Sequence, residues 1–284
     1  MLADLLRSSR PVSWVNTAYP FAAAYLLATR EIDWRLIVGT VFFLVPYNLA
    51  MYGVNDVFDY ESDLRNPRKG GVEGALLDPG RHRAILVASA VTVLPFAAVL
   101  VAAGSPASWV VLAISLFAVV AYSAPGLRFK EIPFLDSATS STHFVSPAAY
   151  GLALAGAPLD GAVILVLAAF FLWGVASHAF GAVQDVAADR EGGIASIATV
   201  MGARWTVRFA LLAYLAAGLL MLAVPWPGPL GALVALPYLV VVWPFRSVTD
   251  ANAASANRGW RRFLWVNQLA GFLVTLLLIW VWNR

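Results

Sequence analysis

The chain has 284 residues, 61% of them hydrophobic and only 12% charged, with a mean hydropathy of +0.76. A soluble domain carries about 25% charged residues, so the composition excludes a water-soluble globule and leaves a membrane protein. Cysteine is absent, which excludes disulfides and thiolate chemistry, and the net charge of +3 is small, with no nucleic-acid partner expected.

Residues 1–12 hold two arginines and no small-residue cleavage site, so they read as a short interfacial segment rather than a signal peptide. Nine apolar runs long enough for a hydrocarbon core of about 30 Å follow. They lie near 13–29, 34–54, 84–104, 107–123, 132–155, 160–182, 204–224, 228–245 and 262–282. The first is short, and Pro20 is placed to kink it. The fifth is the least apolar, because Ser137, Thr139, Ser140, Ser141, Thr142 and His143 crowd its first half. Such residues belong inside a bundle or beside a cavity, away from lipid.

Lysine and arginine then set the orientation. Sixteen of the nineteen fall in the N-terminal segment, in the connections after spans two, four, six and eight, or at the starts of the spans that follow those connections. Only Arg30, Arg35 and Arg284 fall on the other side. The positive-inside rule puts the sixteen in the cytoplasm, and nine spans then leave the C-terminus outside. The long connections, near 55–83, 183–203 and 246–261, all lie on the inner side, where chemistry is expected.

The second span ends in Asn55-Asp56-Val57-Phe58-Asp59-Tyr60-Glu61-Ser62-Asp63. Four acidic groups within eight residues are costly at the end of a membrane helix unless something binds them. Asn55, Asp59 and Asp63 stand at i, i+4 and i+8 and share one helical face, with Asp56 on the same broad face. Hard carboxylate and amide oxygens in this pattern suit Mg²⁺, which takes a few carboxylates together with waters and substrate phosphates. The sixth span ends in Asp185 and Asp189, again at i, i+4 and at the same depth. Two such motifs could hold two Mg²⁺ ions around a diphosphate, with Arg65, Arg68, Lys69, Arg128 and Lys130 on its remaining oxygens.

Other polar residues have weaker readings. His143 and His178 lie in span interiors, where a hydrogen-bonded packing role outweighs a role in a pocket. His178 sits seven residues before Asp185 and faces the same way, two turns deeper. Trp173 could face a reacting cation, although core packing is the simpler reading. His143, Trp173 and His178 are therefore only candidate lining for an acceptor pocket. Small residues in spans five and six (Ala148, Ala149, Gly151, Ala153, Gly174, Ala176, Gly181) either leave room for a long apolar substrate or let helices pack closely.

Three elements together resemble the UbiA superfamily of intramembrane prenyltransferases. Asn55, Asp56, Asp59 and Asp63 match its first acidic motif, and Asp185 and Asp189 its second. Tyr122-Ser123-Ala124-Pro125-Gly126-Leu127-Arg128-Phe129-Lys130 is similar to the element after its fourth helix. Gln184 departs from the family pattern, where many members carry a lysine. The resemblance implies an all-α membrane protein, one domain over 1–284, with nine transmembrane helices around a central cavity. It also implies Mg²⁺-assisted ionisation of an allylic diphosphate followed by alkylation of a lipophilic acceptor, with Tyr122 bordering the allylic group.

Within that superfamily, Ser9 to Pro20, Asp56 to Gly74 and Thr139 to Phe144 are most similar to the lycopene elongase branch. That branch implies dimethylallyl diphosphate as donor and lycopene, dissolved in the bilayer lipid, as acceptor. It further implies a bacterial cell membrane location, with other carotenoid-pathway proteins as candidate partners. An aromatic quinone precursor is the alternative acceptor. An ion-coupled transporter is the remote alternative, disfavoured because the acidic clusters lie at helix ends and not at the midplane.

Overall fold

In the computed structural model, residues 1–64 and 75–283 are described. Among them all regular structure is helical. The chain divides into two compact units, Met1–Phe129 with His143–Pro158, and Lys130–Thr142 with Leu159–Arg284.

The first unit holds α1 (Leu2–Ser9), α2 (Val15–Thr29), α3 (Trp34–Leu44), α4 (Pro46–Phe58), α5 (Tyr60–Asp63), α6 (His82–Ala103) and α7 (Pro106–Ser123). The end of α8 (Leu135–Leu154) also belongs to it. Each start has a local cause. Asp33 accepts from the Leu36 N–H at 2.9 Å, and Ser105 and Ser108 form a capping box before α7. The second expected span is two helices, because Pro46 supplies no N–H and breaks the ladder after Leu44. The carbonyls freed there are met by buried polar groups. Asn48 Nδ2 donates to Phe43 O at 2.8 Å and Leu44 O at 3.1 Å, and Thr17 Oγ1 donates to Phe43 O at 2.7 Å. This is how a break is tolerated at membrane depth. Phe21, Tyr25, Phe42, Phe43, Tyr47 and Tyr150 form the core around it.

The second unit holds the start of α8, then α9 (Gly161–Val183), α10 (Val186–Glu191), α11 (Ile197–Met201), α12 (Ala203–Leu222), α13 (Ala235–Val242) and α14 (Asn257–Trp282). Asp160 caps α9 through the Val163 N–H at 2.8 Å, and Ser196 and Thr199 cap α11 reciprocally. The core gathers Phe180, Tyr214, Tyr238 and Phe263, with Trp173 and Trp260 packed against it. Prolines divide the eighth expected span, so that 3-10 turns over Gly228–Val234 and Trp243–Phe245 flank the short α13.

Among the described residues, seven segments are long and apolar enough to cross a membrane. The other two expected spans correspond to α2, with 15 residues, and α8, whose first half is the polar run. Large apolar side chains such as Val91, Leu94, Leu212 and Val240 are exposed, the distribution of a protein solvated by lipid. The chain is an integral membrane protein.

Candidate active site

The first acidic motif sits where α4 ends. Asp59 is the C-cap of α4, and α5 follows at once. The helical bonding nevertheless continues, since the Asp59 N–H donates to Asn55 O at 2.9 Å and the Asp63 N–H to Asp59 O at 2.8 Å. Asn55, Asp59 and Asp63 therefore lie on successive turns, as the spacing predicts. Three of the carboxylates are buried, with Asp56 1%, Asp59 5% and Asp63 6% exposed. Ser123, the last residue of α7, donates from Oγ to Asn55 Oδ1 at 2.9 Å and fixes that amide.

Sequence reasoning missed one partner of this motif. Arg10, which the sequence marks only as a topology charge, donates from Nη2 to Asp56 Oδ1 at 2.8 Å. Its guanidinium also lies over the Tyr52 ring, 4.2 Å from the centroid. Burial is the largest influence and disfavours the charged guanidinium, but Asp56, Tyr52 and Asp63 together outweigh it and raise the pKa of Arg10. The arginine stands directly before Pro11 in the segment that resembles the lycopene elongases, and that was the available signal.

The element after α7 is turned by two left-handed residues, Gly126 (φ 86°) and Arg128 (φ 41°). For Arg128 this backbone costs about 1–2 kcal/mol, the kind of local strain that collects at functional sites. Tyr122 is half-buried and meets His143 edge to face, with ring centroids 5.3 Å apart. His143 is thus packed against a predicted site residue. Lys130 is half-buried in the 3-10 turn Phe129–Glu131. Arg65, Arg68 and Lys69 lie outside the described residues.

In the second unit, Asp185 is the N-cap of α10 and its carbonyl accepts the Asp189 N–H at 2.8 Å. Both aspartates are half-buried. Gln184 Oε1 accepts from Asn257 Nδ2 at 2.6 Å, so the departure from the family lysine is tied to the first turn of α14. Two turns deeper, His178 Nδ1 lies 3.0 Å from Ser137 Oγ. Asp136, fully buried, accepts the Ser137 N–H at 2.6 Å and the Ile197 N–H at 2.7 Å, which pins the start of α11 to α8. Trp173 packs among Phe170, Tyr238 and Phe263.

The small residues separate by position. A Cβ on Gly151 would fall 2.7 Å from Phe21 O, and one on Gly174 2.3 Å from Ser141 Oγ. On Gly181 it would meet the Trp260 ring at 3.1 Å. Close packing accounts for all three, and at these points no room is left for a polyene.

Among the described residues, no three histidine, aspartate or glutamate side chains converge as a metal cluster. The fit to Mg²⁺ rests on the donors themselves. Asp59 and Asp63 are buried hard oxygens one turn apart, with the Asn55 amide one turn further back. Mg²⁺ is commonly held by one or two carboxylates, its other positions going to water and substrate phosphate.

A helical membrane protein with acidic motifs at helix ends is the class defined by these features. Residues 17–267 match the UbiA prenyltransferase family. The chain belongs to that family, and it is a prenyltransferase. It is 54% identical to the lycopene elongase/hydratase of Corynebacterium glutamicum over 97% of this chain and 96% of that protein. It is 61% identical to the C(50) beta-cyclic carotenoids biosynthesis protein LbtBC of Dietzia sp. (strain CQ4), covering all of this chain but 66% of that longer protein. Among solved structures, a UbiA homolog from Archaeoglobus fulgidus bound to DMAPP and Mg²⁺ aligns with a TM-score of 0.68, at 17% identity, over 94% of this chain and 98% of that one. At that identity the likeness establishes the fold.

Proposed function

We propose that this prenyltransferase transfers dimethylallyl units from dimethylallyl diphosphate to the ends of lycopene, in a Mg²⁺-dependent reaction that builds C50 carotenoids. The observation that carries the reading is the near-complete, 54% identical match to a lycopene elongase/hydratase, together with both acidic motifs kept intact. The whole chain, 1–284, acts as one domain in this reading.

Asn55, Asp59 and Asp63 form one Mg²⁺-binding motif, with Asp56 held against Arg10 behind it, and Asp185 and Asp189 form a second. Bound Mg²⁺ neutralises charge on the diphosphate and makes it a better leaving group. Arg65, Arg68, Lys69, Arg128 and Lys130 bind its other oxygens, and Tyr122 borders the allylic group. The bond from allylic carbon to diphosphate oxygen breaks, and the diphosphate leaves with both electrons. In this reading those cationic side chains stabilise the charge that develops on that oxygen. The terminal double bond of lycopene forms the new carbon–carbon bond to the allylic carbon, leaving a tertiary cation. That cation loses a proton to the departed diphosphate or a nearby carboxylate, or captures water, whose extra proton goes to the same base. Apolar surroundings must keep water from the first, allylic cation.

The acceptor has no polar handle, so it enters from the bilayer. The N-terminus and the long loops face the cytoplasm of a bacterial cell, and the C-terminus faces outward. Incubating membranes with dimethylallyl diphosphate, Mg²⁺ and either lycopene or 4-hydroxybenzoate tests the acceptor. Alkylated lycopene is expected. Alkylated 4-hydroxybenzoate with unchanged lycopene would move the enzyme to the aromatic branch.

A further inference from the structure

Helix α14 begins with three exposed arginines, Arg258, Arg261 and Arg262. Three arginines of the non-spanning segments are paired with carboxylates, Arg10 with Asp56, Arg81 with Asp4 and Arg190 with Asp250. Among the described residues, no carboxylate lies within ion-pair distance of the three on α14. Like charges this close on adjacent turns repel, and a bound anion would relieve the repulsion.

The surroundings provide space for one. Arg258 and Arg262 line a cavity of about 310 Å³ with the polar side chains of Ser247, Asn252 and Ser255. The same two arginines, with Arg261 and Trp265, border a second hollow open to the outside. Beyond it an apolar row continues along the helix, flanked by the exposed Gln268. Arg258, Arg262, Trp265, Leu269, Phe272 and Leu276 follow one another at steps of four and three, the spacing of a single stripe. Trp265 is 79% and Phe272 60% exposed, and Leu269 and Leu276 are exposed as well. From Trp265 to Leu276 the helix rises about 16 Å, the depth of one leaflet of a core about 30 Å thick. A cationic, cavity-backed end leading into an apolar stripe of leaflet length matches an amphiphile with an anionic head.

We propose that this face of α14 binds an anionic phospholipid, its phosphate on Arg258, Arg261 and Arg262 and an acyl chain along Trp265, Leu269, Phe272 and Leu276. Phosphate is the chemistry the arginines recognise, by charge-assisted hydrogen bonds. The stripe favours a lipid headgroup over a soluble phosphate or an acidic protein segment. None of these residues belongs to the catalytic motifs, and the site does not depend on the identity of the acceptor.

Native mass spectrometry of the full-length protein, released from micelles holding equal amounts of phosphatidylglycerol and phosphatidylcholine with the same chains, tests it. Phosphatidylglycerol should be retained in preference. Arg258→Gln with Arg262→Gln should cut that preference roughly tenfold, whereas Arg258→Lys with Arg262→Lys should keep most of it. Arg204→Gln with Arg208→Gln, at exposed arginines elsewhere, removes the same net charge and should leave it unchanged. Equal retention of both lipids, or a preference untouched by the glutamine pair, would overturn the proposal. So would displacement of phosphatidylglycerol by added inorganic diphosphate, which would mark a soluble-anion site instead.

Discussion

Arg10 and Asp56, 46 residues apart in sequence, form a 2.8 Å ion pair in which the arginine side chain is 18% exposed and the carboxylate 0%. One residue of the acidic motif is therefore neutralised by the N-terminal segment. The other side of that segment is tied as well, because Arg81 donates to Asp4 at 2.8 Å. The N-terminal segment is thus tied both to α4, through Arg10 and Asp56, and to the residue before α6, through Asp4 and Arg81. Arg10 has the left-handed backbone (φ 49°) of the residue that ends α1, its N–H bonded to Arg7 O.

Removing one partner of a buried pair costs more than the pair contributes, because the other charge stays buried. Arg10→Gln should lower stability by about 2–3 kcal/mol, read as a lower unfolding midpoint in detergent. Adding Asp56→Asn to that variant should restore part of the loss. Equal midpoints for Arg10→Gln and wild type would mean that the pair has no structural weight.

Gly174 measures how closely α8 and α9 pack. Alanine gains up to about 1 kcal/mol of helix propensity over glycine. Here its Cβ would stand 2.3 Å from Ser141 Oγ and 3.0 Å from the Ser141 main chain. The main chain cannot move aside, so overpacking prevails and Gly174→Ala should destabilise by about 1–3 kcal/mol. Ser141→Ala in the same chain should recover only part of this, since the clash with the main chain remains. Thermal unfolding of the three variants checks the order.

Asp136 joins two helices with one carboxylate, bonding the Ser137 N–H of α8 and the Ile197 N–H of α11. Asp136→Ala leaves both donors without that acceptor in a fully buried place, at a cost of about 2–3 kcal/mol. Hydrogen exchange should show the amides of α11 opening first. Unchanged protection at Ile197 would contradict the assignment.

Asp33 gives a pH signature. Burial is the largest single influence and raises its pKa, but the Leu36 N–H, the Tyr25 hydroxyl and Arg35 together lower it further, and the net shift is below the ordinary value of 3.8. A carboxylate with a depressed folded-state pKa contributes stability above its unfolded value and loses it as pH falls through its folded value. The stability difference between wild type and Asp33→Asn should be constant near neutrality and shrink as pH drops below about 3.8. A difference that grows on acidification would reverse the sign. Asparagine still caps α3, so the comparison isolates the charge.

The acidic motif was legible in the sequence because a helical register is local. Spacing alone places Asn55, Asp59 and Asp63 on one face, and the backbone bonds keep that face through the change from α4 to α5. Polar crowding likewise marked α8, where Asp136, Ser137 and Ser141 all prove buried. Arg10 was not legible as a partner, because its pairing with Asp56 depends on how α1 folds back on α4. The break at Pro46 was missed because hydropathy averages across it, while the repair by Asn48 and Thr17 is tertiary. The glycines of α8 and α9 were ambiguous for the same reason. Composition shows that a residue is small, and only packing shows what fills the space.

The most direct measurement is the carotenoid profile of a lycopene-producing host expressing this chain, compared with the same host expressing Asp59→Ala at equal membrane abundance. The account predicts C45 and C50 carotenoids at the expense of lycopene with the wild-type chain, and at least about a hundredfold less product with the variant. Lycopene left unchanged by an abundant wild-type protein, or extended equally by Asp59→Ala, would contradict it.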